Sequence, residues 1–447
     1  MTENSDLINK ITLIRHSLYD IDSIDIATAR NQILSLLTYK FLSENSENNV
    51  EDIGYVLDEE YYYKNLLIDK DNVVETLKSG IEQITRNNND IQSADVFYDL
   101  FDLLDFDILN NNMLLSFINI IDKLSRTTNS ISDISSIIIN RIIIGRSYNN
   151  FKPSEDLIQF FTLNQNNIKN IYDPHAVDGT LLVEIGKKIN VENYYGQHPN
   201  KEKCIIAKMN LFMNNINYKN IFIKVNHIND PTPWDVKFDL CVSIPPFRSK
   251  ETLNNNNNGD MRFKNCNLKR LTEHAYILDM LYNLNDDGTL YILVSDRSLR
   301  PMPNTNVIKY LVENGFIKNI IGLPRGLFDT SSIPTIILEI KKKTENNEIF
   351  YLNLRNSSTT RLPGSTIIND MDKYVKILMN KEEIELISKN VTLKDVIENE
   401  YNLSINRYIG HKMEIIDVDQ TIENIRRLKI ELKELNEEIE KEIGDLL

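Results

Sequence analysis

The sequence predicts an α/β fold: a mostly parallel sheet, preceded by an α-helical domain and followed by a coiled-coil-type helix. Two observations favour this class. Apolar residues recur at helical spacing through the first 145 residues, with almost no glycine or strand-like alternation. From about residue 146, short apolar runs of strand length alternate with helical segments, which is the pattern of βαβ units.

The predicted N-terminal domain, residues 1–145, is helical throughout. The segment from Ile26 to Leu42 carries one apolar face at helical spacing, and the segments Val73–Ile84 and Met113–Leu124 repeat the pattern. We expect these segments to pack together through their apolar faces.

The predicted α/β domain spans residues 146–360. A helix begins near Ser154, with acidic residues in its first turn, as suits the start of a helix. Strand–turn–helix units follow within 168–189 and 193–213, and 220–228 is another strand candidate.

The second half of this domain continues the alternation. A helix is predicted from Glu273 to a stop at Gly288, followed by a buried strand from Thr289 to Ser295. A further helix ends at Gly315, and two more strands are predicted within 316–324 and 335–343. Residues 361–420 are interpreted as a connecting segment.

The segment from Phe238 to Phe247 gives the first indication of a site. Phe238 to Ser243 reads as a strand, which Pro245 and Pro246 must end because proline cannot donate to a sheet ladder. Ligands of open α/β sheets bind outside the carboxyl ends of strands, so Phe247 would suit base stacking there. Alternatively, its ring packs into the core.

Composition limits the function classes. The net charge of −15 argues against a free-standing, nonspecific DNA binder, because phosphate contacts need clustered lysine and arginine. The three cysteines and six histidines show no metal-ligand spacing, so we predict no metal site and a reducing cytoplasm. No signal peptide is expected, and the apolar runs are too short to span a membrane.

The tail, residues 421–447, is predicted to form a helix for subunit assembly. Its apolar residues keep a three-four spacing over about three heptads, which is typical of a coiled-coil partner helix. A helix packed on its own domain is the alternative. The apolar positions are Ile425, Leu428, Leu432, Leu435, Ile439 and Leu446.

Several stretches together resemble the modification (M) subunit of type I restriction–modification systems, an N6-adenine DNA methyltransferase. "DPHAVDGTLL" stands where that family has D-P-A-C-G-S-G-G-L-L, "GQHPN" stands at G-Q-E-x-N, and "SIPPF" stands at A-N-P-P-F. The resemblance covers nearly the whole chain, with motifs in family order. The other matching stretches are 36–44, 207–215, 322–343 and 403–409.

The resemblance implies a Rossmann-like, S-adenosylmethionine-dependent methyltransferase domain. It implies as partners a specificity subunit, a second M subunit or a restriction subunit, with DNA engaged through the complex and no membrane. The catalytic positions that it implies are Ile244, Pro245, Pro246 and Phe247. The implied cofactor positions are Phe151, Pro153, Asp173, Pro174, Val177, Gly179 and His198.

The chain departs from the family at the residues that do chemistry. Val177 and Thr180 replace two glycines of the cofactor turn, and His198 replaces the acid that would bind ribose hydroxyls, although it could also be a surface residue on a turn. Ile244 replaces the asparagine that would accept a hydrogen bond from the flipped adenine's amine. Losing one such contact typically costs roughly 100- to 1,000-fold in rate.

Three functions follow from this pattern. The departures favour a catalytically inactive pseudo-methyltransferase that acts by assembling with a specificity subunit in a DNA-modification or defence complex. The first alternative is an active adenine-N6 DNA methyltransferase that borrows a catalytic group from a neighbouring subunit. The second is a protein-binding module or decoy without a DNA role.

Overall fold

The structure is a computed structural model. It describes residues 25–86, 90–127, 130–141, 153–247, 252–253, 260–266, 268, 270, 272–301, 306–325, 334–343, 347–360, 366–410, 426–432 and 435. The predicted cofactor residue Phe151 and the tail residues Ile425, Ile439 and Leu446 lie outside these ranges. Within them, no helix combines the length and the apolar character that a membrane span requires.

The described part of the N-terminal region contains five α-helices. The first begins after Asp25, whose carboxylate accepts hydrogen bonds from the backbone N–H groups of Ala27 and Thr28. All three segments predicted from periodicity are helical. The helices are α1 (Ile26–Glu47), α2 (Val73–Arg86), α3 (Ile91–Phe97), α4 (Asn111–Thr127) and α5 (Ile131–Arg141).

A nine-stranded sheet forms the centre of the described structure. Its strands are β1 (Asn167–Asp173), β2 (Asn190–His198), β3 (Ile221–Val225), β4 (Phe238–Ser243), β5 (Leu284–Ser295), β6 (Ile317–Gly322), β7 (Thr335–Lys341), β8 (Glu348–Asn353) and β11 (Ser388–Thr392). Their order in the sheet is β11-β8-β6-β7-β5-β4-β1-β2-β3. Among these strands, β7 and β11 are antiparallel to the others, which confirms the predicted, mostly parallel sheet. Between β8 and β11, β9 (Ser358–Thr360) and β10 (Thr366–Ile368) form a separate hairpin-like pair.

Helices cover both faces of this sheet. The first begins where the sequence predicts, because the Ser154 hydroxyl accepts a hydrogen bond from the backbone N–H of Leu157. The helices are α6 (Glu155–Thr162), α7 (Thr180–Gly186), α8 (Lys201–Met213), α9 (Glu273–Asn283), α10 (Val307–Glu313), α11 (Met371–Asn380), α12 (Leu393–Glu398) and α13 (Ile405–Tyr408).

The predicted helix from Glu273 to Gly288 is wrong at its C-terminal end. Helix α9 ends at Asn283, and β5 begins at Leu284 rather than at Thr289. Leu284 pairs with Phe238 of the parallel neighbour β4, so sheet pairing overrides the helical pattern. A Cβ at Gly288 would lie 2.9 Å from the Phe238 carbonyl oxygen, so this glycine permits close strand approach.

The helical region and one face of the sheet share a continuous hydrophobic core. Buried residues of α1 to α5 join those of α7 and α8 in one cluster, and the Phe97 and Phe212 rings stack at 5.3 Å between centroids. The other face of the sheet packs against α9 and α10 in a second cluster. Helix α8 is therefore the element that connects the helical region to the sheet.

The segment predicted to connect, 361–420, contributes the edge strand β11, while the domain boundaries stay a prediction. In the tail, residues 426–432 and 435 are helical, and the side chains of Leu428, Leu432 and Leu435 are exposed. Within the described residues, these leucines are not packed on the chain's own domain.

Candidate functional site

The carboxyl ends of β1 and β4 bring the two main predicted motifs together. Asp173 ends β1 and Ser243 ends the neighbouring β4, and both side chains are buried. The Ser243 hydroxyl donates to Asp173 Oδ1 at 2.9 Å, and the backbone N–H of His175 donates to the same oxygen at 2.8 Å. The strand order therefore places the predicted cofactor and catalytic positions at one point of the sheet edge.

Gly179 is the one glycine of the family turn that close packing requires. Its φ is +72°, and a Cβ there would lie 3.2 Å from Cα of Ala207 on α8. The Asn210 amide of the same helix donates to the carbonyl oxygen of Asp178 at 2.9 Å. Helix α8 therefore packs tightly against the turn, and the positive φ together with this close contact favours glycine at position 179.

Val177 occupies a second turn position that favours glycine. Its φ is +34°, which is a strained conformation for a β-branched residue. The left-handed region costs an L-residue roughly 1–2 kcal/mol. The backbone therefore keeps a conformation that suits glycine although the glycine itself is absent.

His175 is a site residue that the sequence reasoning missed. It is buried between the ends of β1 and β2, with its ring centroid 4.8 Å from that of His198 and 5.8 Å from that of Tyr276. Burial lowers its pKa to about 3, so the ring is neutral at pH 7. The sequence does contain an indication of this residue, because His175 stands where the family motif has a small alanine.

His198 ends β2, and its ring packs against that of His175. Its Nδ1 accepts a hydrogen bond from the backbone N–H of Asn200 at 3.1 Å, and burial lowers its pKa to about 4. A neutral ring that accepts at Nδ1 carries its proton on Nε2. Its remaining nitrogen is therefore a donor and offers no acceptor for the two hydroxyls of a ribose.

The catalytic motif positions follow directly after β4. Ile244 is partly buried beside the Asp173 turn and has no polar atom in its side chain, and Pro245 is buried. Phe247 is partly buried against the core that the helical region shares with the sheet.

The remaining predicted positions shape the surroundings. Pro174 is buried in the turn between Asp173 and His175, and Pro153 is buried just before α6, which packs against α7. Neither offers a polar side chain. We call the group formed by Asp173, His175, Val177, Gly179, His198 and Ile244 the cofactor corner.

Asp173 is the carboxyl group at the centre of the cofactor corner. Complete burial raises its pKa to about 7, although the hydrogen bonds from His175 and Ser243 act in the opposite direction. Near pH 7 the group is therefore not firmly ionised.

Within the described residues, the pocket at the cofactor corner is small. It is lined by residues of the Asp173–Leu181 segment and by Ile244, has a volume of about 30 Å³ and opens to solvent on one side. A water molecule needs about 10–15 Å³ by this measure, and small-molecule sites typically span about 300–1,000 Å³. As the described residues shape it, the pocket is therefore smaller than a site for the cofactor that the family resemblance implies.

A protein-family model matches more than half of this chain. The model is described as N-6 DNA Methylase, and it matches residues 150–415. The match includes β1, β2 and β4 and therefore the whole cofactor corner.

Two relatives are methylase subunits of type I restriction enzymes. The MpnII subunit of Mycoplasma pneumoniae is 25% identical in an alignment of length 345 that covers 68% of this chain and 62% of that protein. The chain thus spans less than two thirds of this relative's length. The MjaVII subunit of Methanocaldococcus jannaschii is 23% identical in an alignment of length 499 that covers 96% of this chain and 83% of that protein.

Solved structures share the fold over almost the whole chain. A type I restriction–modification methyltransferase subunit from Streptococcus thermophilus matches with a TM-score of 0.75 and 19% identity, covering 91% of this chain and 98% of that one. A chain from a study of complex assembly in the type I system matches with a TM-score of 0.67 and 16% identity, covering 98% of each chain. At these identities the likeness establishes the fold.

Proposed function

Because the chain belongs to the N-6 DNA methylase family and is similar to type I methylase subunits, we propose that it is a subunit-like protein without methyl-transfer activity. It acts by assembling with a specificity subunit in a DNA-modification or defence complex. The methyltransferase fold then serves as a scaffold.

The small pocket at the cofactor corner carries this proposal. The His175 ring, the strained Val177 turn and the Ile244 side chain leave a pocket of about 30 Å³ where the family resemblance implies a cofactor. A partner subunit that supplied a catalytic group would not enlarge this pocket. Enlarging it would require the buried His175 ring to leave its packing against His198 and Tyr276.

Ile244 supports the same conclusion independently of the cofactor. Its side chain cannot accept a hydrogen bond from an adenine amine, and an amine desolvated without a partner costs about 1–3 kcal/mol. Extruding a base from the duplex costs a few kcal/mol more. The corner therefore stabilises neither the cofactor nor the base.

Features suited to assembly remain in place. The helical region is anchored on α8 through a shared core, and Leu428, Leu432 and Leu435 are exposed on the described part of the tail helix. Apolar side chains at this spacing are typical of a helix that pairs with another helix. We assign the tail helix to contact with the specificity subunit.

The test combines assembly and chemistry in one sample. The full chain is purified with a type I specificity subunit, complex formation is followed by light scattering after size exclusion, and methyl transfer to DNA is followed with labelled S-adenosylmethionine. We expect a complex without adenine methylation. Adenine methylation above background would contradict the proposal in favour of an active enzyme.

Variants of the tail test the assembly surface. The double change L428D/L432D places charges on the exposed apolar face and should abolish the complex. The matched control is Ile91→Asp, because Ile91 is an exposed apolar residue on α3. Absence of any complex with the unchanged chain would favour a protein-binding module with no DNA role.

A further inference from the structure

The carboxyl edge of the sheet carries a second and much larger cavity. It has a volume of about 600 Å³ and lies beyond the ends of β6 and β8, beside the start of β7. In the sheet order, β5 and β7 separate these strands from β4 and the cofactor corner. Polar side chains make up much of its lining: Arg325, Asn353, Arg355, Asn356, Ser358 and Asn406. We call it the arginine cavity.

The charges around the arginine cavity are mainly positive. Arg355 Nη2 contacts Asp296 Oδ1 at 2.6 Å, and Arg300 Nη2 contacts the other oxygen of Asp296 at 2.8 Å. One carboxylate thus balances two guanidinium groups. Arg325, which is exposed, adds a third positive charge and has no ion-pair partner among the residues that the structure describes.

Arg355 is held in place from several elements. Besides Asp296, its guanidinium donates from Nη1 to Asn406 Oδ1 of α13 at 3.0 Å. Its Nε is buried, without a hydrogen-bond partner among the described residues. These contacts hold Arg355 at the cavity before any ligand binds. Because its Nε has no acceptor among the described residues, the hydrogen-bonding capacity of the guanidinium is not fully satisfied there.

The composition of the lining indicates the class of ligand. The described lining residues include no carboxylate, which disfavours a cation, and no aromatic ring, which disfavours stacking of a base. Arginine, asparagine amide and serine hydroxyl groups together are donors suited to a phosphate. We propose that the arginine cavity binds a phosphate group.

Two sources can supply that phosphate. One is the backbone of a nucleic-acid strand that passes along the carboxyl edge, and the other is a free phosphate or mononucleotide, which a cavity of about 600 Å³ has room for. The chain as a whole is acidic, with a net charge of −15, so contact with a nucleic acid must be local. The inference does not rest on the state of the cofactor corner.

The test uses the full chain and three probes: a short fluorescent DNA duplex, adenosine monophosphate and inorganic phosphate. Fluorescence anisotropy reports duplex binding, and calorimetry reports binding of the two small probes. Arg325→Gln removes an exposed charge that has no ion-pair partner among the described residues, so the variant should fold. Its matched control is Arg86→Gln, an exposed arginine on α2 whose ion pair in the described part of the chain is with Glu82 of the same helix.

We expect Arg325→Gln to weaken binding of at least one probe about tenfold, whereas Arg86→Gln leaves it unchanged. A loss confined to the duplex, with the salt dependence reduced by about one charge, assigns the phosphate to a nucleic-acid backbone. A loss with adenosine monophosphate or inorganic phosphate assigns it to a free phosphate. The inference is overturned if no probe binds, or if both variants weaken binding equally.

Discussion

Two regions at the carboxyl edge of the sheet differ in the volume of the pocket that their side chains leave. At the ends of β1, β2 and β4, the described residues of the cofactor corner leave a pocket of about 30 Å³. At the ends of β6 and β8, the arginine cavity has a volume of about 600 Å³. Both regions lie where open α/β sheets bind ligands, so the topology is the same and the side chains decide the difference.

The cofactor corner packs on a well-supported helix. Helix α8 joins the helical region through the ion pair between Lys208 and Asp99, at 2.6 Å, and through the stacked Phe97 and Phe212 rings. The turn at Gly179 packs directly on Ala207 of the same helix. The small pocket therefore lies on a firmly packed support.

The largest expected effect comes from reopening the cofactor corner. The fourfold variant H175A/V177G/H198E/I244N changes each obstructing position. His175→Ala removes the buried ring and Val177→Gly relieves the strained turn. His198→Glu supplies two hydrogen-bond acceptors, and Ile244→Asn supplies the missing amide. We expect the fourfold variant to bind S-adenosylmethionine with a Kd of about 100 μM or tighter by calorimetry. The single change Ile244→Asn should bind none.

Circular dichroism of the fourfold variant provides the control for folding. A folded variant that still gives no binding heat would show that these four positions do not close the site. The difference between the two regions would then have another cause.

The protonation of Asp173 sharpens the comparison through pH. Because its folded pKa, about 7, lies above the ordinary 3.8, the folded chain holds a proton that the unfolded chain releases. Its contribution to stability is therefore present at low pH and is lost as the pH rises to about 7. The folded pKa values of His175 and His198 are lowered to about 3 and about 4. Below pH 6.5 the unfolded chain therefore binds protons that the folded chain does not, and these two residues lower the stability as the pH falls.

Asp173→Asn removes the first contribution alone. The free energy of unfolding of this variant, relative to the unchanged chain, should rise by about 1.4 kcal/mol per pH unit between pH 4 and 7 and then level off. Urea unfolding at pH 5 and pH 8 measures the change. The exposed Asp235→Asn serves as the control, and an equal response of both variants would contradict the assignment to a buried carboxyl.

The junction on α8 offers two lysines in contrasting surroundings. Lys208 is buried and Asp99 is largely buried, with side chains 5% and 16% exposed, whereas Lys201 and Asp102 are 54% and 49% exposed. Lys208→Met leaves Asp99 unpaired in the interior and should lower the free energy of unfolding by about 3 kcal/mol. Lys201→Met should cost less than about 1 kcal/mol. Equal losses in urea unfolding would show that the buried pair does not support the corner.

The smallest effect is expected at Val177. Because its φ is +34°, Val177→Gly relieves backbone strain, which offsets the lost side-chain contacts and the greater entropy of unfolded glycine. The net change should stay within about 1 kcal/mol. Val183→Gly, which removes a buried side chain from α7, should cost about 3 kcal/mol or more. A similar loss at both positions in thermal unfolding would argue against strain at Val177.

Local patterns predict most of this fold. The alternation of short strands and helices predicted β1, β2, β4 and the helices after them, because those segments satisfy their periodicity on their own. The end of α9 was misjudged, since Leu284 joins β4 through a partner 46 residues away in sequence. Pairing of that kind leaves no local signal.

The candidate site was predictable at its motif positions and not beyond them. Ile244 and His198 stand at defined places in quoted motifs, so their departures were visible. The packing of His175 against His198 joins two strands, and the meeting of Arg355 with Asp296 and Asn406 joins three segments. Such contacts depend on the assembled fold.

Titration of the purified chain with S-adenosylmethionine by isothermal calorimetry tests most directly the proposal that the cofactor corner does not bind the cofactor. A pocket of about 30 Å³ predicts no binding heat at ligand concentrations up to about 1 mM. A Kd of about 10 μM or tighter would contradict the proposal and would favour the active methyltransferase as the account of this chain.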